Sequence, residues 1–96
     1  MKYKVTNNYA DAEMTSVLGD ILTNYDKLVR EFGEPIKGSG DGKVTAEWII
    51  KFSDGQVATI YDWKEGKTPM YEYDWHIGGR KHIVVKRIRD IMENAR

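Results

Sequence analysis

The sequence predicts an α+β domain in which an antiparallel sheet of about four to five strands carries two helices, a short central one and a longer C-terminal one. Three observations predict this class: alternating segments around an Asp-Gly pair at residues 44–63, a helical segment with marked ends at residues 24–35, and an apolar stripe at helical spacing after Arg80. The 96 residues show no linker or repeat, so residues 1–96 are expected to form one domain.

The composition excludes several classes of protein. The chain has no cysteine, which excludes a disulfide scaffold, a cysteine-ligated zinc or iron–sulfur centre and a cysteine nucleophile. Fifteen basic residues balance fifteen acidic ones, and this zero net charge argues against binding to duplex nucleic acid. The sequence has no apolar run of membrane-spanning length and no signal-peptide pattern. We therefore expect no membrane partner, and we expect no metal or other cofactor.

The hairpin is the strongest local signal. Residues 44–52 and 57–63 alternate, and Asp54-Gly55 between them is typical of a two-residue loop. With that loop, Trp48 lies opposite Tyr61 on an apolar, aromatic face that is expected to form the core.

The same register gives the other face of the hairpin an unusual composition. Ile49 lies opposite Ile60, and Glu47 lies opposite Asp62. An exposed pair of isoleucines predicts contact with another element or another subunit, so we expect a homo-oligomer. Two carboxylates placed directly opposite each other repel.

The central helix has a marked start and end. Asn24 suits the N-cap, Gly33 suits a left-handed C-terminal position, and Pro35 prevents continuation. Its apolar face is formed by Tyr25, Leu28, Val29 and Phe32.

The N-terminal region is less definite. Residues 2–6 alternate and predict a strand, whereas residues 16–22 fit a helix about as well as a strand. Gly19 and the β-branched residues favour a strand there, although strand and helix both stay open for residues 1–23. Residues 37–42 predict a flexible loop.

The C-terminal part predicts a strand followed by a helix. Residues 70–77 alternate strictly, and Gly78-Gly79 is expected to end that strand. A helix is expected from about Arg80 to about Ala95, with an apolar stripe formed by Val84, Val85, Ile88, Ile91 and Met92.

Three segments together resemble a family of small proteins that is widespread in tailed bacteriophages. The segments are Tyr25–Pro35, Lys43–Lys64 and Asp74–Gly79, and the resemblance covers roughly residues 17–95. It implies a phage accessory protein that acts in the cytosol of the bacterial host. It carries over no catalytic residue.

The first candidate site is the junction between the last strand and the last helix. Two glycines there would expose backbone N–H groups beside a helix N-terminus, which attracts anions. Arg80 and Lys81 in the first turn would add positive charge. The alternative is a tight turn at Gly78 and Gly79 with solvated basic residues, and a Gly-Gly pair alone is a weak signal.

Aromatic residues near this junction extend the candidate site. Trp63 and Trp75 lie at strand ends and are expected to be partly exposed, which would allow them to stack on a nucleotide-like ring. Lys64 and His76 complete the predicted ligand-binding set. Tyr61, in contrast, is expected to lie in the core with Trp48.

A second candidate site is an acidic face of the sheet. Its expected members are Glu47, Asp62, Glu72, Asp74 and His76. A cation, a proton or neighbouring lysines would relieve the repulsion among them, and of these a salt-bridged face is the commonest outcome.

The functional hypothesis is therefore a non-enzymatic protein that binds a small anionic, nucleotide-like ligand and sequesters a host immune signal. The alternative partner is a bacterial defence or regulatory protein that this chain inhibits. A metal-dependent hydrolase acting through the acidic face and a minor virion component are further alternatives.

Overall fold

A computed structural model describes residues 2–6, 8–38 and 42–95 of the chain. It shows six strands, two α-helices and one short 3-10 helix in this part of the chain. In chain order they are β1 (Tyr3–Val5), the 3-10 helix (Tyr9–Ala12), β2 (Ser16–Thr23), α1 (Tyr25–Phe32), β3 (Ile36–Lys37), β4 (Ala46–Phe52), β5 (Val57–Tyr61), β6 (Tyr73–Gly79) and α2 (Ile83–Asn94).

All the strand pairs are antiparallel. The strand order is β1-β4-β5-β6-β2. The short β3 and β1 pair with the same edge of β4, β3 with its first residues and β1 with its last. The predicted α+β class, with a short central helix and a longer C-terminal one, is confirmed. The strand predicted at residues 2–6 and the strand favoured at residues 16–22 are both present.

Both helices pack on one face of the sheet, and the core lies between the helices and the sheet. Trp48 and Trp75 are fully buried there, with their ring centroids 5.5 Å apart in an edge-to-face arrangement. The other core residues are Leu28, Phe32, Ala46, Ile50, Phe52, Ala58, Ile60, Ile77, Val84, Val85 and Ile88. We call this side of the sheet the helix face and the other side the open face.

The two helices differ in how well the sequence predicted their ends. Helix α1 begins after Asn24, whose side chain accepts the N–H of Lys27 at 2.9 Å, and it ends at Gly33 with φ of 82°, as predicted. Helix α2 begins at Ile83 rather than near Arg80. The basic residues at 80 and 81 therefore precede the helix instead of forming its first turn. Residues 39–41 of the predicted loop lie outside the described residues.

The predicted register of the hairpin is wrong by one residue. The N–H of Gly55 bonds to the carbonyl of Phe52 at 2.9 Å, and the N–H of Phe52 bonds to the carbonyl of Gln56 at 2.8 Å. The loop thus has three residues and ends on Gly55 with φ of 89°. Because successive side chains alternate between faces, this shift moves every β5 side chain to the face opposite to the predicted one.

The isoleucine pair expected on the surface does not exist. Ile60 faces Trp48 across the hairpin in the core, whereas Ile49 lies on the open face beneath the 3-10 helix. Both side chains have an exposure of 0%. They therefore provide no surface for self-association, and a homo-oligomer through another surface stays a prediction.

Candidate functional site

The glycine pair at the end of β6 lies inside the sheet and forms no turn. Gly78 pairs with Val17 of β2 and with Thr59 of β5, and Gly79 is likewise paired on both sides. A Cβ atom on Gly78 would lie 2.4 Å from the Thr59 hydroxyl oxygen, and one on Gly79 would lie 2.5 Å from a methyl group of Val84. The geometric basis of the predicted anion site is therefore wrong: close packing between neighbouring elements, and not ligand access, requires glycine here.

Arg80 is used within the fold. Its guanidinium donates to the carbonyl oxygens of Glu13 at 2.6 and 3.0 Å and of Asp11 at 3.0 Å. These bonds fix the segment that joins the 3-10 helix to β2. Lys81 is exposed between β6 and α2. Trp75, which was expected to be partly exposed, is fully buried, so it cannot stack on a ligand.

The predicted convergence of acidic residues is also wrong. Glu47 lies opposite Tyr61, and Asp62 is fully buried at the end of β5. Asp62 accepts hydrogen bonds from the N–H and hydroxyl of Thr45 and from the N–H of Ala46, at 2.8, 2.6 and 3.1 Å. Among residues 2–6, 8–38 and 42–95, no group of three His, Asp or Glu side chains is placed to hold a metal ion.

A row of four polar and aromatic side chains crosses the open face. The pairings place Glu47 opposite Tyr61, Tyr61 opposite His76, and His76 opposite Asp20. At the usual spacing between strands the row spans about 14 Å. The rings of Tyr61 and His76 stack, with centroids 5.4 Å apart and planes inclined by 29°. We call these four residues the open-face row.

A pocket opens above the middle of the open-face row. Its lining residues are Val17, Tyr61, Trp63 and His76, and its volume is about 380 Å³. Three of these four residues are aromatic, and Val17 supplies an apolar wall with 57% exposure. The structure thus brings Trp63 and His76 of the predicted site together, with Lys64 beside them.

The peptide before and after Trp63 is held at several points. Asp62, immediately before it, is anchored to the start of β4, and the N–H of Lys64 donates to the carbonyl of Lys43 at 2.6 Å. The N–H of Trp63 itself points to the hydroxyl of Tyr73 at 3.3 Å. Trp63 is therefore positioned from both neighbouring elements while its side chain stays 41% exposed.

Two lysines supply positive charge at the Trp63 ring. The ammonium groups of Lys64 and Lys43 lie 5.7 and 6.0 Å from its centroid, within the range of a cation–π contact. Lys64 has φ of 57°, a left-handed conformation that is unfavourable by about 1 kcal/mol for a residue with a side chain. The surrounding hydrogen bonds hold this strained residue beside the pocket.

Glu47, at one end of the open-face row, is a half-buried carboxylate without a basic partner among the described residues. Burial raises the pKa of its carboxyl group, and no described residue donates a hydrogen bond or forms an ion pair with it. Burial and the charge of Glu47 together raise the pKa of the Tyr61 hydroxyl and that of the Tyr9 hydroxyl.

A second cavity, of about 410 Å³, lies between β1 and the two helices, but its polar groups are already paired. The Tyr3 hydroxyl donates to Glu31 at 2.5 Å, and burial followed by this contact raises the pKa of Tyr3 to about 12. Arg87, which also lines the cavity, binds both oxygens of Asp54 at 3.0 and 2.8 Å. This cavity is a weaker candidate because its charges are satisfied within the fold.

Sequence reasoning missed Val17 and Tyr61 as pocket residues, and it assigned Glu47 to an acidic face of the sheet. Tyr61 was assigned to the core because a two-residue loop places it on the same face as Trp48. A three-residue loop ending on Gly55 was the alternative that would have placed Tyr61 on the open face beside Glu47.

Comparisons with protein-family models, with curated proteins and with solved structures found no match for this chain. Neither helix in the described part of the chain is long and apolar enough to cross a membrane.

Proposed function

We propose that this protein is a small, non-enzymatic binding protein whose pocket on the open face holds a nucleotide-like ligand. The observation that carries the proposal is the pocket of about 380 Å³ between Trp63 and the stacked rings of Tyr61 and His76. This volume lies within the range of small-molecule sites. Aromatic side chains that offer a ring face commonly hold nucleobases, each at about 1–3 kcal/mol.

The charge beside Trp63 suits the anionic part of such a ligand. Lys64 and Lys43 bring two ammonium groups to the rim of the pocket at Trp63. A planar ring in the pocket would leave the phosphate of the ligand next to these groups. A lysine ammonium group binds phosphate as a point charge. This arrangement replaces the predicted phosphate site at Gly78 and Gly79.

The wider role that we propose is the sequestration of a host signalling nucleotide in the bacterial cytosol. That role is supported by the resemblance to the bacteriophage family, and the pocket supplies only the binding step.

Titration with nucleotides tests the proposal. The other two tryptophans are fully buried, so quenching of tryptophan fluorescence would report mainly on Trp63. We expect mononucleotides or cyclic dinucleotides to bind, and we expect Trp63→Ala to weaken the binding by about tenfold or more. Tyr71→Ala is the matched control, because Tyr71 is an exposed aromatic residue outside the pocket.

Two lysine variants separate the contribution of positive charge to binding from that of stacking on Trp63. Lys64→Asn removes the charge while keeping a residue that tolerates the left-handed backbone, and Lys67→Asn is the control in the same loop. We expect Lys64→Asn alone to weaken binding. The proposal is wrong if calorimetry detects no binding of any of these nucleotides at millimolar ligand concentration.

A second candidate function, inhibition of a host protein, is favoured by the apolar side chains on β2. Val17 and Leu22 lie on the open face with exposures of 57% and 61%, and no other described strand pairs with the outer edge of β2. An exposed edge with apolar neighbours is suited to pairing with a strand of another protein. A pull-down from host lysate tests this candidate: one stoichiometric partner, lost in Leu22→Asp, would support it against a small ligand.

A further inference from the structure

Glu47 does not line the pocket itself, but it is the cross-strand neighbour of Tyr61, which does. It faces Tyr61 directly across the hairpin on the open face, and side chains in such a pair have Cβ atoms about 5 Å apart. Burial, and then the charge of Glu47, raise the pKa of the Tyr61 hydroxyl. The phenol in turn lines the pocket.

The carboxylate oxygens of Glu47 retain contact with solvent and have no donor among the described residues. The side chain is half-buried beside Tyr61, and the nearby Tyr9 hydroxyl donates to the carbonyl of Lys37 at 2.6 Å. No described residue supplies an N–H or O–H group to the carboxylate. A ligand that brings N–H donors would replace water at this partly buried acceptor with charge-assisted hydrogen bonds.

The chemistry of a carboxylate selects the kind of ring. Two parallel N–H groups match its two oxygens, and charge-assisted bonds of this type are about twice as strong as neutral ones. Among nucleobases, guanine presents such a pair on one edge, through N1–H and the 2-amino group. Adenine presents a ring acceptor at N1, which a carboxylate repels.

We propose that Glu47 reads the base, so that the ligand of the pocket carries a guanine-type ring. The ring lies against Tyr61 and His76, its N1–H and 2-amino group donate to the Glu47 carboxylate, and its phosphate lies toward Lys64. This inference rests on the proposed nucleotide-binding function and specifies its ligand class.

A series of three mononucleotides tests the inference. Calorimetric titration at pH 7.5 would compare GMP with IMP, which lacks only the 2-amino group, and with AMP, which lacks both donors. We expect IMP to bind about tenfold more weakly than GMP and AMP about a hundredfold more weakly, because each step removes one bond to a charged acceptor.

Two variants assign the preference to Glu47. Glu47→Gln keeps the shape of the side chain, and it should remove most of the advantage of GMP while changing AMP affinity by less than about threefold. Asp20→Asn, at the other end of the open-face row, is the matched control and should leave the preference unchanged. Circular dichroism would establish that each variant is folded.

The outcomes separate the inference from the proposed function. If nucleotides bind but GMP has no advantage, or if the advantage survives in Glu47→Gln, the inference is wrong and the nucleotide pocket stands. If none of the three nucleotides nor a cyclic dinucleotide binds, both are wrong.

Discussion

Asp62 and Thr45 are joined by two hydrogen bonds: one carboxylate oxygen accepts the backbone N–H of Thr45 at 2.8 Å, and the other accepts its hydroxyl at 2.6 Å. Because the Thr45 hydroxyl donates to Asp62, it is free to accept from the Thr68 hydroxyl at 2.7 Å. The buried carboxylate thus ties the end of β5, the start of β4 and the loop after Trp63 together. Asp62 therefore fixes the position of the neighbouring Trp63, which forms one wall of the pocket.

Asp62→Ala should destabilise the fold by about 3 kcal/mol, since it removes three hydrogen bonds to a charged group and leaves buried N–H groups unpaired. Thr45→Val removes the hydroxyl but keeps the backbone bond, and it should cost about 1 kcal/mol. Urea denaturation of both variants measures the difference. Equal losses in the two variants would contradict the role assigned to Asp62.

Gly78→Ala should destabilise the protein by about 1–3 kcal/mol, because its Cβ would meet the Thr59 hydroxyl at 2.4 Å in a tightly packed part of the sheet. Thr59→Ala makes room, so the double variant should lose less than the sum of the two single variants, with a coupling of about 1 kcal/mol. Gly79→Ala combined with Thr59→Ala is the control, since Gly79 approaches Val84 instead. If the losses of stability in Gly78→Ala and Thr59→Ala are additive in the double variant, contact with Thr59 is not what requires glycine at position 78.

The conformation of Gly78 and Gly79 could not be predicted from the sequence. Local patterns correctly predicted α1 with both its caps and the general class of fold. The alternating strand predicted at residues 70–77 exists, but it begins at Tyr73 and includes both glycines. Whether Gly78-Gly79 forms a turn or a strand depends on how closely Thr59 and Val84 approach, and these residues come from other elements. A contact of that kind leaves no trace in the local pattern.

The hairpin was predictable in existence but not in register. An Asp-Gly pair suits both a two-residue loop and a three-residue loop ending on a left-handed glycine. The apolar pattern did not distinguish them, because β5 offers apolar side chains to both faces: Val57 lies on the open face, and Ile60 lies in the core. The pocket depends on this choice, since one register buries Tyr61 and the other places it beside His76.

Trp48→Phe should destabilise the protein by about 1 kcal/mol more than Trp75→Phe, although both indoles are fully buried. The Trp48 indole N–H donates to the carbonyl of Gly33 at 2.8 Å and so connects β4 to the end of α1. The Trp75 indole N–H has no acceptor among the described residues, so its removal loses ring contacts and no hydrogen bond. Chemical denaturation of the two variants checks the order. A larger loss in Trp75→Phe would contradict it.

Glu47→Gln should stabilise the folded protein at neutral pH while weakening its proposed ligand interaction. Burial raises the folded-state pKa of Glu47 above its ordinary value of 4.5. Below that value the group is protonated in both states and carries no ionisation penalty. As the pH rises, the unfolded chain releases the proton first, and stability falls until the pH exceeds the folded-state pKa.

The gain in melting temperature from Glu47→Gln should therefore be present at pH 7.5 and shrink toward zero near pH 4. Tyr61 and Tyr9, the titratable groups facing it, ionise far above this range because their pKa values are raised. Glu72→Gln, at an exposed position before β6, is the matched control for replacing a glutamate by glutamine. A variant that is less stable than the parent at pH 7.5 would overturn the assignment. A carboxylate that costs stability at neutral pH is typical of a side chain retained for binding.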